Sequence, residues 1–297
     1  MRRRPLIVLN STAGVPRRRY LAAVLARLAY RGAIATVVEP GSSALVEASV
    51  RKAFQTHDVI VAAGGDGTIR RVAAAAGSSG LPIGILPMGT GNVFAHEIGL
   101  RRDPVQIADT ILDGEIKTVH GAYANSEPFY LMAGAGFDAR VIGALNQPLK
   151  RIFGRAAYAP AILGVLQQPV ERLDVTIDDR QYAANWAIVA NARHYGGRFI
   201  VAPGASIFRP GLEIVLIAAP GRVALIEQLL KLARGSLTQA ANTAVTVLTG
   251  SKIVIARAKS LHTGGSSVPV QVDGDAFGTL PLRIDANGPQ LRLIVPH

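Results

Sequence analysis

The chain has 297 residues, 49% of them hydrophobic, enough for one large or two medium packed domains. It contains no cysteine, which excludes disulfides, thiolate metal sites and thiol redox chemistry and suits a reducing compartment. A net charge of +12 directs it toward anions, whether nucleotide phosphates, an acidic membrane face or nucleic acid. With 5% aromatic residues, little is available for base stacking, and no helix-turn-helix or zinc-finger spacing occurs, so no nucleic-acid partner is expected.

The start, "MRRRPLIVLN", has too short an apolar run for a secretory core and reads as a first strand. "RRRYLAAVLARLAYRG" is a helix ending at Gly32, "AIATVVE" a strand, and "SSALVEASVRKAFQT" a helix opening on a serine cap. "DVIVAAGG", "TIRRVAAAAG" and "LPIGILPMG" continue the alternation, which predicts parallel strands with crossover helices, a Rossmann-like α/β domain over residues 1–122. The uncharged run from Val72 to Phe94 is long enough for a bilayer, but Pro82, Pro87 and five glycines break it, so no transmembrane segment is expected.

From about Tyr123 the pattern changes to strand-like runs separated by Gly, Pro, Asn and Asp, from "EPFYLMAG" to the terminal "QLRLIVPH". Residues 123–297 therefore read as a β-rich sandwich domain. Two helical patterns interrupt it: residues 137–168 with a break at Pro148, and "GRVALIEQLLKLARG". In the latter, Ile226, Leu229, Leu230 and Ala233 form an apolar stripe expected to face the β-domain.

Two glycine turns follow successive strands. Gly64, Gly65 and Gly67 surround Asp66 and lead into a helix; glycine lets a ligand approach the backbone, and the helix start offers amides to a phosphate. A carboxylate beside phosphate is repelled unless a cation intervenes, so Asp66 points to Mg2+, its plainer alternative being a helix cap. Gly89 and Gly91 bracket Thr90, and Asn92 either caps the next helix or reaches a ligand. In a parallel sheet both turns lie at the carboxyl edge, where such domains bind ligands. No G-x-x-x-x-G-K-[ST] is present; "GAGFDA" (134–139) lacks a downstream acid and reads as a structural turn; the six histidines lack metal spacing.

"NSTAG", "GGDGT", "PMGTGN", "AGAGFDARVI", "NARHYGGRFIVAPGAS" and "VDGDAFGTLPLRI" occur in one order. The chain thereby resembles the bacterial diacylglycerol kinase and sphingosine kinase-like lipid kinases, whose nucleotide domain is related to that of NAD kinases. The resemblance implies an α/β nucleotide domain followed by a β-sandwich, an active site in the interdomain cleft, and transfer of the γ-phosphoryl group of ATP, with Mg2+, to diacylglycerol or a related lipid alcohol. It places Asn10, Ser11 and Thr12 in the first phosphate loop, Gly64, Gly65, Asp66, Gly67 and Thr68 in the second, and Thr90 and Asn92 in the third. Asp273 or Asp275 of "VDGDAFG" carries the acceptor-activating carboxylate; the bland reading of that Asp-Gly is a hairpin turn.

Relatives carry acids at the positions of Val93 and His120, where they tie Asp66 to Mg2+, and an Asp-Asp-Gly metal turn where this chain has Phe208, Arg209 and Pro210 before Gly211. No metal is expected at that turn, with Arg209 replacing its charge. A lipid acceptor implies a cytoplasmic enzyme that can sit peripherally on an anionic membrane through residues such as Arg2–Arg4 and Arg17–Arg19, with a homodimer permitted. The alternatives are an NAD kinase-like enzyme or a nucleotide- or lipid-binding sensor with little turnover.

Overall fold

The run PLIVL is apolar at every position, and such a segment is stable as a strand only where both faces are covered. In the computed structural model, which describes residues 2–10, 15–77, 80–146, 154–258 and 267–297, β1 (Pro5–Leu9) is buried along its whole length. It is followed by α1 (Val15–Tyr30), β2 (Thr36–Val38), α2 (Ser43–Ala53), β3 (Val59–Gly64), α3 (Asp66–Ala76), β4 (Ile83–Pro87), α4 (Val93–Glu97), α5 (Pro104–Asp113) and β5 (Glu115–His120). Ser42 caps α2 by accepting from the Leu45 amide, the serine cap expected there. α1 packs with α5 and α2 with α3. Arg27 of α1 and Arg31, just after its end, both pair with Asp109 of α5.

The remaining elements are β6 (Ala122–Ala124), β7 (Glu127–Phe129), β8 (Met132–Ala135), α6 (Phe137–Gly143), α7 (Tyr158–Leu166), β9 (Leu173–Ile177), β10 (Arg180–Ala184), β11 (Trp186–Ala190), β12 (His194–Tyr195), β13 (Phe199–Ile200), β14 (Leu212–Ile217), α8 (Arg222–Ala233), β15 (Val245–Gly250), β16 (Lys252–Arg257), β17 (Pro269–Val272), β18 (Asp275–Thr279), β19 (Leu282–Asp285) and β20 (Gln290–Val295). Contacts divide the chain into residues 1–120 with 289–297, and residues 121–288.

The first unit holds one sheet in the order β2-β1-β3-β4-β20-β5, with β1 to β4 parallel and β20 parallel to β4 but antiparallel to β5. This corrects the sequence reading of "QLRLIVPH" as part of the second domain. The strand is buried on both faces at Leu291, Leu293 and Ile294, so it fills the gap between β4 and β5. Its partners are remote in sequence, and no local signal marks them.

The second unit is a sandwich of two six-stranded sheets, β10-β9-β16-β19-β6-β7 and β15-β14-β11-β8-β17-β18. Its core interleaves residues of both, including Phe129, Leu173, Val175, Ile253 and Leu282 with Ala133, Val189, Ile214, Val270 and Val272. The runs "EPFYLMAG" and "RQYAANWAIVANA" each cross from one sheet to the other, since β7 and β10 lie in the first and β8 and β11 in the second. The outer face of β11 is also covered: Trp186 packs against Phe137 of α6, ring centroids 5.4 Å apart and planes inclined by 58°. The helical pattern of residues 137–168 forms α6 and α7, while the break expected at Pro148 lies outside the described residues.

Helix α8 contradicts the expected facing. It buries Leu225, Gln228 and Leu232, whereas Ile226 and Leu230 are exposed. The buried seam tolerates Gln228 because Asn242 Nδ2 donates to its Oε1 at 2.7 Å, which offsets the desolvation that makes a glutamine read as a surface residue.

Candidate active site

At the carboxyl edge of the first sheet, β1, β3 and β4 end side by side. Beyond β1, Asn10 donates its backbone amide to Ala63 O at 3.0 Å and its Nδ2 to Thr68 Oγ1 at 3.1 Å. Beyond β3, Gly64 and Gly65 admit neighbours that a side chain would exclude. A Cβ on Gly64 would collide with the buried Thr68 side chain, and one on Gly89 would lie 2.5 Å from Gly65 Cα. Met88 N donates to Gly64 O at 2.8 Å, so the second and third loops touch backbone to backbone.

The third loop is closed by its own asparagine. Asn92 has φ 51°; its Oδ1 accepts from Gly89 N at 2.8 Å and its Nδ2 donates to Gly89 O at 3.0 Å. Asn92 occupies the cap position of α4 without making a side-chain cap bond. Asp66 supplies that cap from another loop, accepting from Val93 N at 3.0 Å and Phe94 N at 3.1 Å. Asp66 is thus a helix cap, but of α4 rather than of the α3 it begins. The first turn of the eleven-residue α3 has no side-chain cap, which leaves its start suited to an anion. Gly67 and Thr90 lie partly exposed among these bends, Arg71 is exposed, and Ser11 and Thr12 lie outside the described residues. Val93 is buried, and His120 closes β5 opposite Gln290.

Because Gly89 and Gly65 are in backbone contact, Gly89→Ala is expected to push the two loops apart. Nucleotide affinity should fall at least about tenfold while the rest of the sheet stays folded, as read by calorimetric titration with ATP and circular dichroism.

In the second unit, β17 and β18 form a hairpin whose central residues, Asp273 and Gly274, have φ of 49° and 81°. Positive φ at both positions is what a two-residue type I′ turn requires, and Asp-Gly supplies it. Asp273 is 5% exposed, and its carboxylate faces inward. Oδ2 accepts from Tyr130 N at 3.1 Å, while Oδ1 accepts from Leu131 N at 2.9 Å and Met132 N at 3.1 Å. Burial, with Asp273 next in weight, holds the Tyr130 phenol well above its ordinary range. Asn191, unnoticed in the sequence, braces the same segment by donating to Tyr130 O at 2.7 Å. Asp275, the first residue of β18, is exposed.

A second buried carboxylate stands behind the turn. Asp138, in the "GAGFDA" bend, accepts from Ala139 N at 2.8 Å and from Gln271 Nε2 at 3.1 Å, and Gln271 Oε1 accepts from Gly274 N at 3.0 Å. The bend is a backbone turn as expected, with Gly136 at φ 106°, yet it also holds an acid that the fingerprint test passed over. The available signal was a lone acid in an apolar run and a lone Gln among the valines of β17. Burial raises the Asp138 carboxyl from 3.8 to about 6, against the bonds from Ala139 and Gln271; Tyr195 and Trp186 are its other polar neighbours.

The polarity of this chain is fixed, because Gly274 N can only donate and ionised Asp138 can only accept. Asp138→Asn would invert the Gln271 amide and set two donors against each other at Gly274. The turnover rate is then expected to drop roughly 10- to 100-fold with ATP affinity unchanged, and Asp138→Asn with Gln271→Glu should restore most of it by exchanging the polarity. The pH dependence of stability gives a second signature. A carboxyl whose pKa is raised in the fold binds its proton more tightly there, so between pH 3.8 and about 6 stability falls as pH rises. Asp138→Asn should remove that slope, worth at most about 3 kcal/mol. Melting curves across this range, set beside steady-state rates, check both effects.

At the turn before β14, Arg209 Nη2 donates to Gly204 O at 3.2 Å, next to the buried Glu213, whose pKa is raised by burial. Among the described residues, no three His, Asp or Glu side chains gather as a metal cluster. No described helix is long and apolar enough to cross a membrane.

Residues 4–124 match the diacylglycerol kinase catalytic domain, and residues 132–295 match the YegS C-terminal NAD kinase beta sandwich-like domain. A diacylglycerol kinase of Staphylococcus saprophyticus is 30% identical over 95% of this chain and 92% of its own length. An uncharacterized Synechocystis protein, sll0036, is also 30% identical, over 80% of this chain, and the match spans 54% of that relative's length. A crystal structure described as a diacylglycerol kinase from Bacillus anthracis superposes with a TM-score of 0.71 at 17% identity, over 99% of this chain and 96% of that one, and shows the same fold. Two successive domain matches and a full-length relative agree: the chain belongs to the diacylglycerol kinase and YegS-like lipid kinase family.

Proposed function

We propose that the protein transfers the γ-phosphoryl group of ATP to a hydroxyl of diacylglycerol or a related lipid alcohol at an anionic membrane surface, with Asp275 as the base. The observation that carries the assignment is the division of labour on one hairpin. Asp273 spends its carboxylate on three backbone amides, while Asp275 is exposed two residues away.

The two glycine-lined loops after β3 and β4, with the loop that begins at Asn10, hold the triphosphate through backbone amides and the start of α3. Asn10 with Thr68, and Asn92 with Gly89, keep these loops in register, and Thr90 contacts the nucleotide. The acceptor oxygen bonds to the γ-phosphorus as the bond to the bridging oxygen breaks and ADP leaves; the hydroxyl proton passes late to the Asp275 carboxylate. The transition state is loose, so orientation supplies most of the acceleration.

Mg2+ in such kinases is held by one or two carboxylates together with the substrate phosphates and water, and it neutralises charge on the transferring group. Asp66 fits that role. Its two oxygens accept from Val93 N and Phe94 N, and a carboxylate oxygen can accept more than one bond.

Incubation with γ-labelled ATP, Mg2+ and separate acceptors tests the reading. Label is expected in diacylglycerol or another lipid alcohol. Label in NAD, or none despite bound ATP, would overturn it.

A further inference from the structure

Helix α8 has two faces of opposite fate. Leu225, Gln228 and Leu232 anchor it to the second unit, and on the opposite side Val223, Ile226 and Leu230 are 81%, 40% and 48% exposed. Their spacing of three and four residues aligns them in one strip about two turns long. Exposed Arg222 and Arg234 bound the strip at its ends. The one acid within the helix, Glu227, pairs with Lys231 at 2.6 Å. Strand β13 runs beside the helix and leaves Phe199 and Ile200 each 37% exposed, preceded by exposed Arg198.

From this we infer that the outer face of α8, with β13, docks onto an anionic lipid surface, Val223, Ile226 and Leu230 entering the headgroup boundary and Arg198, Arg222 and Arg234 pairing with lipid phosphates. An apolar strip edged by arginine on an anchored helix is the pattern of an interfacial helix. A second copy of the chain fits less well, because two such faces would bring arginine against arginine in a protein already carrying +12. The choice of partner rests on the lipid-acceptor reading, whereas the surface itself does not.

Co-sedimentation of the full chain with vesicles of phosphatidylcholine alone, and of phosphatidylcholine with phosphatidylglycerol, tests the inference. Binding is expected to the anionic vesicles, weakened at least about tenfold in Val223→Asp with Leu230→Asp and also in Arg222→Ser with Arg234→Ser. All four positions are exposed, so the melting temperature should stay at the wild-type value, and phosphorylation of lipid dispersed in detergent should be unchanged. Unaltered vesicle binding by both variants would overturn the inference, as would equal wild-type binding to neutral vesicles. So would a wild-type dimer that the apolar variant dissociates. Loss of detergent activity in the wild type would instead count against the kinase reading and leave the vesicle result to stand by itself.

Discussion

Asp275→Asn is expected to lower the turnover rate by roughly 10²- to 10⁴-fold and to leave ATP binding intact, the range for removal of the general base proposed above. The carboxylate stands at the first residue of β18, on a turn fixed by three sets of bonds: Asp273 to residues 130–132, Asp273 N to Met132 O, and Gln271 to Gly274. Asparagine keeps its shape and can still orient a hydroxyl, but it cannot take the proton. The three loops proposed to hold the triphosphate belong to the other unit, so the hydrogen bonds of Asn10, Asp66 and Asn92 should survive the substitution. A rate assay paired with calorimetric ATP titration separates the two effects, and a matching loss of ATP affinity would contradict the assignment.

Asp273→Ala has an effect of a different kind. Three backbone amides in the buried segment Tyr130–Met132 lose their acceptor at once, and no water can reach donors enclosed in the sandwich without opening it. Each buried donor left without an acceptor is costly, so a destabilisation of roughly 3–5 kcal/mol is expected. That corresponds to a melting temperature lower by roughly 10 °C. Asp273→Asn, which retains one acceptor oxygen, should lose less. Thermal denaturation followed by circular dichroism measures both, and an unchanged melting temperature for the alanine variant would show that the carboxylate is not a structural clamp.

Much of the first unit was legible because its devices are local. Gly64, Gly65 and Gly89 stand out in the sequence as turn glycines open to a ligand; in the structure Gly64 makes room for the Thr68 side chain, and Gly65 and Gly89 for each other. The alternation of apolar runs with helical patterns likewise located β1 to β4 and the helices between them. Less legible was anything set by distant partners. The choice between Asp273 and Asp275 depends on which side of a tight turn faces the Tyr130–Met132 amides, 141 or more residues earlier in the chain. β20 carries an ordinary strand pattern, and only its pairing with β4 and β5 assigns it to the first sheet.

Helix α8 shows the limit of hydrophobic patterning. Its apolar residues allow two faces, and the polar Gln228 lies on the buried one because Asn242 satisfies it. Asp66 illustrates a related limit. A capping residue was foreseen, but a carboxylate that caps a helix 27 positions downstream cannot be recognised from neighbouring residues.

The most direct measurement is a single-turnover transfer of label from prebound γ-labelled ATP to diacylglycerol, run on the wild type and Asp275→Asn side by side. The wild type is expected to move the label into lipid phosphate, and the variant to hold labelled ATP without passing it on. Equal transfer by both proteins, or a wild type that binds ATP and never labels a lipid, would contradict the account.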